Sequence, residues 1–446
     1  MTIDLVLSNA KAYLEDKIVA CSLAIDGRRI FRIGKEAVMP AASERLDLQG
    51  LLILPGLIDA HVHLRDEGKA YKEDFFTGTA AAAVGGFTTI LDMPNNEPVT
   101  MSAETLKNRM KLAERKILVN VGFYSEFPKK TQEVAAIVKL GAVAFKLFMA
   151  EQVGGLDIDD DNSIVEAFKT AGDLHISVAV HAEDHKALKA AICSLKHAGC
   201  NDLDAYLEAH SEAVEAKAVT RLLSIAAKTK VHIHFCHMTT AEALTSVADA
   251  KNTGAAVTCE TTPHNLFLSI EDLKQIGTKA LTMPPVRENR HRQALWKAIE
   301  TGLIDTLGSD HAPHTLNEKE AEDVWSVKVG IPGLETTLPL MLTTVKQKRL
   351  SIGDVVKLLS EKPAEVFQLE SRGCLKEGNC ADLTVIDLDK SYRIDASKFK
   401  SKAKFSPFDG WEVYGRAVKT FVNGQLVMDE GELVAEAGIG QVVRRA

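Results

Sequence analysis

His61 and His63, two residues apart in Asp59-Ala60-His61-Val62-His63-Leu64-Arg65, have the spacing to grip one metal ion. They close an apolar run, Leu51-Leu52-Ile53-Leu54-Pro55-Gly56-Leu57-Ile58, that reads as a buried strand. Side chains alternate faces along a strand, so both imidazoles point the same way. Two imidazoles on one face are a common start to a metal site. Arg65 shares their parity and could hold an anion beside the ion. The competing reading is a pair of solvated or core histidines.

Other residues of the same chemical kind recur along the chain. Asp92-Met93-Pro94-Asn95, Val180-His181-Ala182-Glu183, Cys236-His237 and Gly308-Ser309-Asp310-His311 each follow a short apolar run. Lys146 is unusual because Phe145, Leu147 and Phe148 flank it. Desolvation disfavours the ammonium form there. The neutral amine can add carbon dioxide, and the resulting carbamate has two oxygens that could bridge two metal ions. The alternative is a lysine that snorkels to solvent from a strand end, and the surrounding ligands favour the carbamate.

These residues need a scaffold that brings strand ends together. Strand-like runs at 51–63, 87–94, 118–125, 142–149, 176–183, 231–238, 256–263 and 304–310 alternate with helix-like segments such as 102–115, 163–172, 212–228 and 288–301. Eight strands alternating with helices predict a parallel (β/α)8 barrel of the TIM type. Barrel active sites lie at the C-terminal strand ends, where five of the eight runs carry hard ligands. A doubly wound sheet would place a glycine-rich phosphate turn after the first strand, where this chain has histidines and Arg65. Residues 1–50 and the C-terminal part read as short strands, with Asp26-Gly27 and Asn423-Gly424 as turn pairs.

Parity sorts the histidines. On run 231–238, Val231, Ile233, Phe235 and His237 share one face, and His232 and His234 share the other. With the apolar face turned into the barrel, His237 is the inward ligand and His232 and His234 pack against helices. His264 is a candidate neighbour of the site. His311 has the opposite parity to Asp310, which favours His314.

Composition sets limits. The chain has 446 residues, 46% hydrophobic and 26% charged, as expected of a globular enzyme. A formal charge of −8 argues against a broad nucleic-acid-binding surface. Seven scattered cysteines without a C-x-x-C pair fit reduced thiols and a cytoplasmic setting. The N-terminus lacks a basic segment leading into an apolar core, so no signal peptide is expected. No apolar run approaches the roughly 20 residues of a membrane span.

The motifs PGLIDAHVHLRDEG (55–68), GGFTTILDMPNNEP (85–98), FKLFM (145–149), HAED (181–184), CHMTTAEA (236–243), CETTPHNL (259–266), PPVR (284–287), GSDHAPH (308–314) and PGLET (332–336) resemble those of the dihydroorotases of the amidohydrolase superfamily. The similarity covers essentially the whole length and is of the lysine-bearing, class I-like branch. It implies a barrel over 52–371 and a small β-sandwich built from 1–51 and 372–446. It implies two zinc ions bridged by carboxylated Lys146, with His61, His63 and Asp310 on the first and His181 and His237 on the second. Such a centre supplies an activated water and a polarised carbonyl, with Asp310 as the proton carrier. Arg65, Asn95 and His314 would hold the substrate carboxylate. Arg287 and the backbone of Pro332 and Gly333 would contact the ring or its carboxylate. The implied reaction is the reversible closure of N-carbamoyl-L-aspartate to dihydroorotate in pyrimidine synthesis. A homo-oligomer such as a dimer is also implied, without nucleic-acid or membrane partners. Met283 departs from the asparagine that many relatives carry before Pro-Pro. Rival readings are an allantoinase, a hydantoinase-type dihydropyrimidinase, and an inactive scaffold of the same fold.

Overall fold

A computed structural model describes residues 2–445 and contains two nine-stranded sheets. One sheet is built from both chain ends. Its order is Glu432–Leu433, Gln425–Asp429, Glu412–Val422, Leu383–Arg393, Leu52–Pro55, Ile3–Leu14, Lys17–Asp26 and Arg29–Gly34, with Ala42–Asp47 beside Ile3–Leu14. Most of its pairs are antiparallel, as short connections require. Asn423 and Gly424 both have positive φ, 52° and 82°, and form the tight turn between Glu412–Val422 and Gln425–Asp429.

The second sheet is parallel and runs Leu57–Val62, Phe87–Asp92, Asn120–Glu126, Ala144–Phe148, Val178–His181, Ile233–Phe235, Val257–Thr261 and Thr306–Leu307. The ring closes where Val62 bridges His311 and the His63 amide donates to the His311 carbonyl at 2.8 Å. This is the expected barrel. Three details differ from the sequence reading. The 51–63 run is two strands broken at Gly56, the first in the chain-end sheet and the second in the barrel. Val442–Val443, near the C-terminus, pairs with Asn120–Glu126 of the barrel.

The third difference is parity. Leu57, Ile90, Phe123, Phe145, Val178, Ile233 and Phe235 belong to the large core that includes the surrounding helices. Ile58, Ala60, Leu91, Tyr124, Ala144, Ala179 and Cys236 form the smaller core inside the ring. Helices cover a parallel sheet's outer face, so the bulky apolar residues face outward. The Ile233/Phe235 face therefore points to the helices, and His234 points inward, opposite to the sequence reading. His237 reaches the centre because the strand has ended. Its φ of 36° turns the chain after Phe235.

Candidate active site

At the C-terminal face of the barrel, Nε2 of His61 and Nε2 of His63 lie 3.4 and 3.2 Å from Oδ1 of Asp310. The ligand atoms of these three residues lie within 4.8 Å of one another. His181 Nδ1 and His237 Nε2 face each other at 3.0 Å. The His61 and His237 rings are 5.2 Å apart, which joins the two groups. Lys146 is fully buried, and its Nζ donates to Cys236 Sγ at 3.1 Å. Burial, with His181 and Lys146 close by, holds the His237 imidazolium well below its usual range.

Three of these rings are oriented from behind. His61 Nδ1 meets Glu260 Oε1 at 2.7 Å, His63 Nδ1 meets Asn95 Oδ1 at 2.6 Å, and His181 Nε2 meets Glu183 Oε2 at 2.7 Å. Glu183 is held in turn by His210 Nδ1 at 2.7 Å. With the proton on the tied nitrogen, the other nitrogen offers its lone pair to the shared centre, as a metal ligand must. Burial and Lys146 oppose a charge on His61, but Glu260 and Asp310 outweigh them and raise it to about 10. Burial likewise opposes the Asp310 carboxylate, yet His61, His63 and His237 hold it well below the usual range. The carboxylates thus call for positive charge at this point, which a proton or a divalent ion can supply. The donor set, imidazoles with carboxylate, suits zinc.

Local backbone delivers these groups. Asp59, buried under the cluster, accepts from the amides of His61 at 3.0 Å and Ser309 at 3.1 Å, tying the first and last strand ends together. A side chain at Gly308 would place its Cβ 2.5 Å from Glu260 Oε2 and 2.9 Å from the His61 Cβ, so this close approach requires glycine. Arg65, His237 and Asp310 all adopt left-handed backbone, φ 61°, 36° and 46°. Each such residue costs about 1–3 kcal/mol and persists where surroundings enforce it, typically at a working site.

Arg65 is buried beside this cluster, with its Nε lacking any protein partner and NH2 3.5 Å from His314 Nε2. Burial lowers its pKa to about 10, so it remains a cation near neutrality. Both His314 nitrogens are engaged, Nε2 with the Val329 carbonyl at 2.9 Å and Nδ1 with Lys72 Nζ at 3.0 Å. Asn95 serves His63. The Gly333 amide donates to His311 Nδ1 at 3.2 Å, and Ile331 bridges His311, so Pro332-Gly333 lies against the last strand end. Arg287 sits elsewhere in the mouth, donating to Thr239 Oγ1 at 2.9 Å and to the His210 carbonyl. Its NH2 is buried without a hydrogen bond. Met283 packs with Leu188, Ala209 and Val214.

Sequence reasoning gave no role to Glu260, His210 or Lys72. Glu260 touches His61 directly and His210 reaches His181 through Glu183, and nothing in their spacing marks either residue. Lys72 lies in the charged run Lys72-Glu73-Asp74. In the structure all three do positional work. Lys72 meets His314, Glu73 faces His311 Nε2 at 3.3 Å, and Asp74 caps the helix Phe75–Val84.

A parallel barrel with imidazoles, a buried lysine and an aspartate gathered at its C-terminal mouth defines a class of barrel hydrolase. The family model described as the Amidohydrolase family matches residues 52–427, and the chain belongs to that family. It is similar to a dihydroorotase from Methanothermobacter thermautotrophicus, 36% identical over 98% of this chain and 96% of that one. It is also similar to an L-hydantoinase from Paenarthrobacter aurescens, 34% identical over 99% and 98% of the two chains. Among solved structures, an L-hydantoinase (dihydropyrimidinase) from Arthrobacter aurescens superposes with a TM-score of 0.95 at 33% identity, each chain wholly covered. The chain is a hydrolase acting on cyclic amide bonds. Among the described residues, no helix is long and apolar enough to cross a membrane.

Proposed function

We propose that this enzyme is a dihydroorotase, interconverting N-carbamoyl-L-aspartate and (S)-dihydroorotate plus water. The observation that supports the choice of substrate is Arg65. Its guanidinium is buried at the edge of the cluster, with Nε unsatisfied. A buried cation with an idle donor is costly unless an anion joins it. A carboxylate accepts from guanidinium in a two-pronged, charge-assisted geometry. Dihydroorotate carries such a carboxylate beside its cyclic amide.

His61, His63, His181, His237, Asp310 and a carboxylated Lys146 would hold two zinc ions. Those ions would supply a water of lowered pKa and a polarised carbonyl. The chain's residues do the rest. Arg65 fixes the ring through its carboxylate, next to Asp310. Asp310 accepts the proton of the attacking water on Oδ and delivers it to the ring nitrogen as the C–N bond breaks. In the closing direction, Asp310 takes the proton from the carbamoyl nitrogen. Pro332-Gly333 and Asn95 border the ring position, and Arg287 stands across the mouth.

The second reading is a hydantoinase-type dihydropyrimidinase, favoured by the 0.95 TM-score to the L-hydantoinase structure. Its rings carry no carboxylate and would leave Arg65 idle. Turnover of dihydroorotate, dihydrouracil and allantoin by the purified protein decides between them. The proposal requires dihydroorotate to be the preferred substrate. Activity on dihydrouracil or allantoin with none on dihydroorotate would overturn it.

A further inference from the structure

A second buried cation, Lys72, lies near Arg65. Lys72 is 6% exposed, and its Nζ lies 3.0 Å from His314 Nδ1. Arg65 NH2 is 3.5 Å from the other nitrogen of the same ring. The two cations therefore flank one imidazole and act on each other's charge. His314 itself has no free donor, because Nε2 serves Val329 and Nδ1 faces the Lys72 ammonium.

A carboxylate already sits on Lys72. Glu318 Oε1 lies 2.7 Å from Lys72 Nζ and accepts from the Tyr71 hydroxyl at 3.1 Å. Glu318 belongs to the short turn Leu316–Lys319, and its other oxygen caps that turn by accepting from the Thr315 amide at 3.0 Å. Oε1 can be released without undoing the cap. Its side chain is 20% exposed, whereas Lys72 is sealed in, so the exchangeable partner is the glutamate. The ammonium has three donors, and only two have partners here.

We propose that Lys72 is a specificity-determining residue that binds the substrate carboxylate together with Arg65, and that Glu318 is the resident carboxylate it exchanges for substrate. This rests on the dihydroorotase reading and deepens it. The incoming carboxylate takes the Oε1 position on Lys72, and Glu318 Oε1 withdraws toward the rim beside Tyr71, which is 60% exposed, while Oε2 keeps its cap on the Thr315 amide. Neutral cyclic amides cannot make the exchange and meet the site with Glu318 still in place. Selection for an acidic ring is then made twice, by an idle guanidinium and by a displaceable internal anion.

Calorimetric titration with orotate, an acidic planar ring, tests this without turnover. Lys72→Met should weaken orotate binding about tenfold or more, the worth of one buried charge-assisted contact. Lys72→Arg, which keeps the charge, should recover part of that loss. Glu318→Gln lies on a partly exposed turn and tests the exchange even if Lys72→Met destabilises the fold. It should tighten orotate by about threefold or more, since no internal anion competes. In assays, Lys72→Met should raise KM for dihydroorotate by more than it lowers kcat. Orotate affinity unchanged in Lys72→Met, or weakened in Glu318→Gln, would overturn the inference. If the wild-type chain fails to turn over dihydroorotate, the substrate reading falls and takes this role with it. If the wild type turns it over and Lys72→Met binds orotate normally, only this inference falls.

Discussion

Glu260 holds Nδ1 of His61 at 2.7 Å and thereby turns Nε2 of the same ring toward Asp310, 3.4 Å away. Its other oxygen is buried without a hydrogen bond and lies 3.9 Å from His234 Nε2. One carboxylate so placed fixes both the tautomer and the aim of an imidazole that could ligate a metal. Glu260→Gln keeps the shape and removes the charge. Metal affinity should fall by about tenfold or more, the usual effect of losing such a support. Chelator competition measures this directly, and an unchanged dissociation constant would remove Glu260 from the account.

Arg65 should govern recognition and leave the metal cluster alone. Arg65→Met removes a charge-assisted contact worth about 2–3 kcal/mol, or about 30- to 150-fold in KM for dihydroorotate. Metal content should match the wild type. Loss of metal with KM unchanged would mean that the guanidinium supports the cluster and not the substrate.

Lys146→Ala should lose metal, because the lysine is fully buried inside the barrel, its Nζ against Cys236. Small carboxylic acids in the buffer should restore part of the activity by supplying the missing oxygens. A variant with full activity and no added acid would refute the carbamate bridge.

Much of this candidate site is legible in the sequence because most of its proposed ligands sit at strand ends, where chemistry-bearing residues interrupt apolar runs. His61, His63, His181, His237 and Asp310 show in that way and Lys146 by its apolar flanks, and the six stand together in the structure. Strand parity misled at 231–238. A parallel barrel wrapped by helices hides its bulky residues on the outside, so the Ile233/Phe235 face was assigned to the wrong side. His237 stands against His181 because positive φ after the strand end, and not alternation along the strand, aims it. Glu260, His210 and Lys72 act through neighbours 199, 27 and 242 residues away in sequence, distances at which local patterns carry no signal.

Glu335 predicts a pH effect on stability. Burial raises its pKa to about 7, although the amides of Lys400 and Ser401 donate to it at 2.9 and 3.2 Å. The folded state therefore binds the proton more tightly than the unfolded chain, whose carboxyl titrates near the ordinary glutamate value. Wild-type stability should fall as pH rises from about 4.5 to 7, and this loss is complete above 7. Glu335→Gln abolishes that loss. Its stability relative to wild type should therefore improve from pH 5 to pH 8 by on the order of 1–3 kcal/mol. Thermal unfolding at the two pH values checks this, and a constant difference would show that Glu335 is not held protonated.

The central claim is a two-metal centre bridged by a modified lysine at the barrel mouth. Metal analysis of the dialysed protein, paired with intact mass under mild conditions, tests it most directly. Two zinc ions per chain and a mass increment of one carbon dioxide are expected, both lost in Lys146→Ala. A wild-type chain that keeps no tightly bound metal and carries no increment would contradict it.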